Sequence, residues 1–118
     1  MATGRTVFLV LAADPERLVR VGLWALTAAS VGESVDVLLT AGPLAAWLAD
    51  PPGERGPLPS WREMITEARG LARVRVVTCE TELSLAGVPL ERVKGSVDAI
   101  ESLPSFWRTL EDARVVSI

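Results

Sequence analysis

The residue with the clearest chemical potential in this sequence is Cys79, the only cysteine in a chain of 118 residues. Its thiolate form would be a nucleophile. The sequence contains no histidine, so no imidazole can serve as a base, a proton shuttle or a metal ligand. A single cysteine also excludes an internal disulfide and any zinc site built from several thiolates. What remains is the chemistry of one unassisted sulfur.

The sequence around Cys79 predicts that the thiol lies at the end of a strand. The run Ala72–Thr78 has the branched residues of a third strand, and Glu80–Ala86 predicts a short helix that ends at Gly87. Reactive groups of parallel sheets gather at the carboxyl ends of strands, where backbone amides of a helix start favour a thiolate. The acidic residues after Cys79 oppose this effect. The alternative is a packed core residue, because free cysteine is commonly buried.

Two other segments could contact a ligand, and each also has a structural explanation. Asp14 follows the first strand, but its Asp-Pro context is that of a helix N-cap. Ala41-Gly42-Pro43 follows the second strand and either lines a pocket or starts a helix. No glycine-rich phosphate loop is present, so the sequence predicts no nucleotide cofactor, and no metal site is expected.

The first forty residues predict a β-α-β unit. Thr6–Ala12 is a continuous apolar run, which is typical of a parallel strand covered on both faces, and we expect it to be the central strand. A helix follows from Asp14-Pro15-Glu16 to about Val31, ended by Gly32. Ser34–Thr40 is the second strand, and the crossover should be right-handed.

The rest of the chain continues the alternation of strands and helices. Before the third strand, we predict a short helix at 44–49, a mobile surface loop at 50–59 and a helix from the capping box Ser60–Glu63 to Arg69. After the third strand and its helix, we predict a short helical piece near 90–93, a brief strand or helix start at 97–100, a helix at 105–111 and a final strand at 113–118. Together these elements predict one domain over residues 1–118, a three-layer α/β/α sandwich of four to five mostly parallel strands.

Composition narrows the classes of function. Apolar runs are too short for a membrane span of about 20 residues, and the start of the chain lacks the pattern of a signal peptide, so we expect a cytoplasmic location. Twelve basic residues against fifteen acidic ones, without a basic cluster, argue against nucleic-acid binding as a primary role.

Several stretches, taken in order, resemble the DsrE/DsrF-like sulfur-relay family over the whole chain. The opening unit runs from Thr6–Ala13 through Asp14-Pro15-Glu16 and Ala25–Gly32 to Val35–Gly42. The second half matches in Val74–Cys79, in the Gly87-Val88 pair eight residues after the cysteine, and in the final strand Ala113–Val116.

The resemblance implies a flavodoxin-like fold, assembly into homo-oligomers such as trimers or hexamers, and a sulfur carrier or sulfurtransferase that holds sulfane sulfur as a persulfide on Cys79. With no second cysteine, the persulfide would be discharged to another protein or a small thiol, so a donor or acceptor protein is an expected partner. Some members lack the cysteine and act as partner subunits. The alternative is therefore a non-catalytic binding or assembly subunit in which Cys79 is only packed.

Trp24 is predicted to lie on the polar side of the first helix, because it shares a face with Arg17, Arg20 and Thr27. A tryptophan at such a position is expected either under the 50–59 loop or in a subunit interface, where this residue type is enriched. The other tryptophans, at positions 47, 61 and 107, lie near predicted helix ends and could serve either purpose.

Overall fold

The computed structural model describes residues 4–49 and 59–118, which form a five-stranded sheet with helices packed on it. In chain order the elements are β1 (Arg5–Val10), α1 (Pro15–Ser30), β2 (Ser34–Leu39), α2 (Ala41–Ala49), α3 (Trp61–Arg69), β3 (Val74–Cys79), α4 (Glu80–Ala86), α5 (Leu90–Val93), β4 (Ala99–Glu101), α6 (Leu103–Arg108) and β5 (Arg114–Ser117). The predicted 50–59 loop lies, apart from Pro59, outside the described residues.

All neighbouring strands are parallel, in the order β4-β3-β2-β1-β5. This confirms the predicted α/β class and is consistent with a flavodoxin-like three-layer architecture, although flavodoxin itself has the order 2-1-3-4-5. The middle strand is β2, so the prediction that the first strand is central was wrong by one position. The reason is that β3 and β4 extend the sheet beyond β2, whereas only β5 lies beyond β1.

The predicted capping of α1 is confirmed. The Asp14 carboxylate accepts a hydrogen bond from the backbone N–H of Arg17 at 3.2 Å, and Pro15 occupies the first turn, where its missing N–H costs nothing. The helix ends at Ser30, and Gly32 then adopts a φ of 87°, a left-handed conformation that glycine tolerates best.

Three predicted boundaries differ from the structure. The second helix begins at Ala41 rather than Leu44, because Gly42-Pro43 fits the first turn of a helix. The last helix begins at Leu103 rather than Ser105, because the Ser102 hydroxyl accepts a hydrogen bond from the backbone N–H of Ser105 and so caps the start of the helix. It ends at Arg108 rather than Glu111. The segment 97–100, left between two possibilities, contributes to strand β4.

Most of the core lies between one face of the sheet and the helices α1 to α4. The strands contribute alternate residues, and the helices contribute their apolar sides, including Val21 and Ala25 from α1 and Ile65 and Ala68 from α3. The helices α1 and α3 approach most closely at Gly22, where an added Cβ would lie 2.8 Å from the Cα of Trp61. Only a glycine fits at this helix crossing without a shift.

The second face of the sheet has a smaller core. Val7, Leu38 and Val77, from three adjacent strands, are buried together with Phe106 of α6. The helix α6 has only six residues and cannot cover this face alone. Partly buried apolar residues around it and the polar residues described below complete this layer. None of the helices in residues 4–49 and 59–118 combines the length and the apolar composition of a membrane-spanning segment.

Candidate functional site

Cys79 lies where the sequence predicted, as the last residue of β3 and the N-cap residue of α4. Its backbone is extended, with φ −112° and ψ 159°, and its side chain makes no capping hydrogen bond. The residue is only 2% exposed. The thiol therefore combines the predicted position with the burial that the packed-residue alternative predicted.

Hydrogen bonds join the carboxyl ends of the strands around Cys79. The Thr40 hydroxyl donates to the carbonyl of Val10 at 2.7 Å, and the Thr78 hydroxyl donates to the carbonyl of Leu39 at 2.9 Å. These bonds hold β1, β2 and β3 together beside the thiol.

Glu82, in the first turn of α4, accepts a hydrogen bond at 2.9 Å from the backbone N–H of Ala41, the first residue of α2. This carboxylate caps the neighbouring helix, a role that the sequence did not reveal. The segment Ala41-Gly42-Pro43 is accordingly a helix start, as one of its two interpretations held.

The sheet register places Glu101 of β4 beside Cys79. One carboxylate oxygen of Glu101 lies 3.6 Å from Nη2 of Arg75, and the other, Oε2, is buried and has no hydrogen-bond partner among the described residues. A carboxylate, rather than a cation, is therefore the charged group next to Cys79 on the adjacent strand.

A groove of about 400 Å³ lies beside α4, lined by Glu80, Leu83, Ser84, Val88, Leu90 and Ile100. Cys79 is not among the residues that line it, nor does it line two other grooves formed by described residues. Because Cys79 is only 2% exposed, a large reactant can reach the thiol only after a local movement.

A second polar cluster lies on the sheet face that α6 covers, toward the amino-terminal ends of the strands. Asp36 of β2, whose side chain is 8% exposed, pairs with Arg5 on one side and, at 3.1 Å, with Nε of Arg75 on the other. Arg5 also donates to the carbonyl oxygen of Thr109. The hydrogen bond to Asp36 is the main cause that raises the pKa of Arg75, so this guanidinium stays charged through the neutral pH range.

The sequence contained a signal for this cluster that did not lead to a prediction. Asp36 interrupts the apolar run of β2, and Arg73 and Arg75 alternate with valines in β3. A charged residue inside a buried strand needs a partner of opposite charge. Sequence alone did not identify Arg5 and Arg75 as its partners, because they come from two different strands.

The remaining predicted residues divide between the core and the surface. Trp47 and Trp61 are buried and pack edge to face with ring centroids 5.2 Å apart, and the indole N–H of Trp47 donates to the carbonyl of Ser96 at 2.8 Å. Trp24 is 42% exposed and Trp107 is 66% exposed.

The described residues include no group of three or more acidic or cysteine side chains able to hold a metal ion.

Comparison with solved structures identifies proteins of the same fold. A protein of unknown function from Methanobacterium thermoautotrophicum, MTH1491, matches with a TM-score of 0.69 and 18% identity, over 98% of this chain and 99% of that one. The ychN protein from E. coli matches with a TM-score of 0.52 and 16% identity, over 99% of this chain and all of that one. No protein-family model and no curated protein matches the sequence. At these identities the similarity extends to the fold alone.

Proposed function

We propose that this chain is a DsrE-like sulfur carrier, or sulfurtransferase subunit, that holds sulfane sulfur as a persulfide on Cys79. The observation that carries the proposal is the position of the thiol at the carboxyl end of β3, where it is the N-cap residue of α4 and leaves the first amides of that helix without a side-chain cap. Parallel α/β proteins place reactive groups at this edge of the sheet. The family resemblance of the sequence supports the same residue.

The proposed step is a transfer between sulfurs. The Cys79 thiolate attacks the outer sulfur of a donor persulfide, R–S–SH, and the new S–S bond forms as the donor S–S bond breaks. The products are Cys79–S–SH and the donor thiolate, so no oxidant is needed. In the reverse direction the outer sulfur passes to an acceptor thiol.

The burial of Cys79 determines how donor and acceptor molecules can reach the thiol. A thiol that is 2% exposed is shielded from small oxidants, and a sulfur atom added to it would extend about 2 Å beyond Sγ. Donor and acceptor must therefore reach the thiol during a local opening of α4 or of the β3–α4 junction. The chemistry favours a carrier over a self-sufficient catalyst, because the chain offers no imidazole base and no second thiol.

The second candidate is a non-catalytic assembly subunit of the same fold, in which Cys79 is a packed core residue. The low exposure of the thiol favours this alternative. The two candidates predict different reactivity for the same atom, so one experiment separates them.

The test is to incubate the folded protein with a cysteine desulfurase and cysteine, and to weigh the intact chain by mass spectrometry. The carrier should gain the mass of one sulfur, lose it on treatment with a thiol reductant, and show no gain in the variants Cys79→Ser and Cys79→Ala. In parallel, iodoacetamide should alkylate the folded chain at a measurable rate. A chain that takes up no sulfur from several donors, and that is alkylated only after denaturation, would establish the packed alternative.

A further inference from the structure

We propose that the groove at the amino-terminal end of the sheet binds a small oxyanion that also carries a hydrogen-bond donor, of which hydrogen phosphate is the simplest. This groove has a volume of about 320 Å³, within the range of about 300–1,000 Å³ found for ligand pockets. It lies on the α6 side of the sheet, near the starts of β1, β2 and β3. The proposal does not use the thiol of Cys79, which lies at the carboxyl end of β3 and does not line this groove.

Three arginines line the groove, Arg5, Arg73 and Arg75, together with the two acidic residues Asp36 and Glu101. The balance of three positive and two negative groups leaves one positive charge. Arg73 is exposed and makes no ion pair with another described residue. It is therefore the group whose charge a bound anion would neutralise.

Asp36 holds the other two guanidinium groups in place. It is almost fully buried and pairs with both Arg5 and Arg75, so neither arginine has to be ordered when a ligand binds. Arg5 donates three hydrogen bonds within the protein, and since a guanidinium has five N–H groups, two remain for a ligand. Preorganised donors of this kind reduce the entropic cost of binding an anion.

Glu101 determines which oxyanion fits. Its Oε2 atom is the buried side-chain oxygen that lacks a hydrogen-bond partner within the described residues, and an unpaired buried acceptor is costly. The other oxygen, Oε1, lies 3.6 Å from Nη2 of Arg75, outside hydrogen-bond distance, and the side chain is 23% exposed, so Oε1 can accept a hydrogen bond from a ligand in the groove. Hydrogen phosphate can donate its P–O–H to this oxygen, whereas sulfate, which is fully ionised at neutral pH, has no proton to donate.

Isothermal titration calorimetry with sodium phosphate and with sodium sulfate, at pH 7 and constant ionic strength, tests the proposal. The wild-type chain should bind phosphate at least tenfold more tightly than sulfate. Arg73→Ala should weaken phosphate binding about tenfold, the effect of losing one charge-assisted hydrogen bond. Arg92→Ala, which removes an exposed arginine outside the groove, should leave the affinity unchanged.

Glu101→Gln tests the selectivity. The amide of glutamine can donate to sulfate, so this variant should bind the two anions with affinities that differ less than threefold. Circular dichroism of each variant verifies that it is folded, and the comparison of Arg73→Ala with wild type stands even if Glu101→Gln does not fold. The absence of phosphate binding to the wild-type chain, equal affinities for phosphate and sulfate, or binding unaffected by Arg73→Ala would each overturn the proposal.

Discussion

Asp36 holds two arginines from neighbouring strands with one carboxylate, and its burial makes that arrangement important for stability. The variant Asp36→Asn should leave Arg5 without a carboxylate partner among the described residues and Arg75 with only the carboxylate of Glu101, at 3.6 Å. We expect the free energy of unfolding to fall by about 2–3 kcal/mol, below the usual effect for a fully buried pair because both arginines are partly exposed.

Urea denaturation followed by tryptophan fluorescence measures this loss. The matched control is Asp112→Asn, which changes an exposed carboxylate and should alter the free energy of unfolding by no more than about 0.5 kcal/mol. Equal effects of the two substitutions would show that the network contributes no stability.

The position of Cys79 could be predicted from sequence, but its surroundings could not. The strand before it and the helix after it are encoded locally, by branched residues in β3 and by Gly87 at the helix end, where φ is 67°. Its neighbour Glu101 comes from β4, a three-residue strand with too little pattern to be distinguished from a helix start. Burial and charge around a residue depend on such distant segments, so the exposure of the thiol became known only from the structure.

At the scale of elements, the crossing of α1 and α3 depends on Gly22. A methyl group there would lie 2.8 Å from the Cα of Trp61 and 3.0 Å from its carbonyl oxygen. Both contacts are with backbone, so the helices must move apart. We expect Gly22→Ala to lower the free energy of unfolding by about 2 kcal/mol, although alanine gains about 1 kcal/mol over glycine in helix propensity.

Gly42→Ala in α2 is the matched control, because its Cβ would meet only the Cβ of Ala13, at 3.5 Å. This substitution should be neutral or raise stability by up to about 1 kcal/mol. Thermal unfolding followed by circular dichroism compares the stabilities of the two variants. A Gly22→Ala chain more stable than wild type would show that the helix crossing can accommodate a methyl group at this position.

The helices and strands themselves were largely predictable, because their signals are local. Asp14 and Ser60 cap the helices that the sequence assigned to them, and the β-α-β unit followed from the apolar runs. The position of β1 in the sheet was not predictable in this way. The position of a strand in the sheet depends on how many later strands join each edge. The sequences of the short strands β4 and β5 contain too few residues to indicate which edge each of them joins.

At the scale of the whole molecule, the groove between α1 and β5 is the surface best suited to an interface in the homo-oligomer that the family resemblance implies. Trp24, Thr27 and Val31 of the α1 side face Phe8 and Val116 of the sheet across it. The strand β5 forms one edge of the sheet, so no other strand of residues 4–49 and 59–118 covers this side. Trp24 and Val31 are exposed, at 42% and 69%, where an interface would bury them.

We therefore expect light scattering coupled to size-exclusion chromatography to give a mass of at least two chains, and Trp24→Glu to lower it to that of one chain. The control Leu85→Glu changes an apolar residue of α4 that is 69% exposed and lies outside the groove, and it should keep the wild-type mass. A wild-type chain that elutes as a monomer at every concentration tested would rule out this assembly.

The hydrogen bond from Ala41 to Glu82 has a further consequence for the timing of any reaction at Cys79. It fastens the first turn of α4 to α2, so a motion that lifts this turn away from the sheet must first break it. Access to the sulfur is then a local unfolding equilibrium, with its own opening and closing rates. A partner that offered its own acceptor to the Ala41 amide, or a donor to the Glu82 carboxylate, would prolong the open state. Sulfur transfer would then be gated by recognition, while the resting protein kept its thiol closed to solvent.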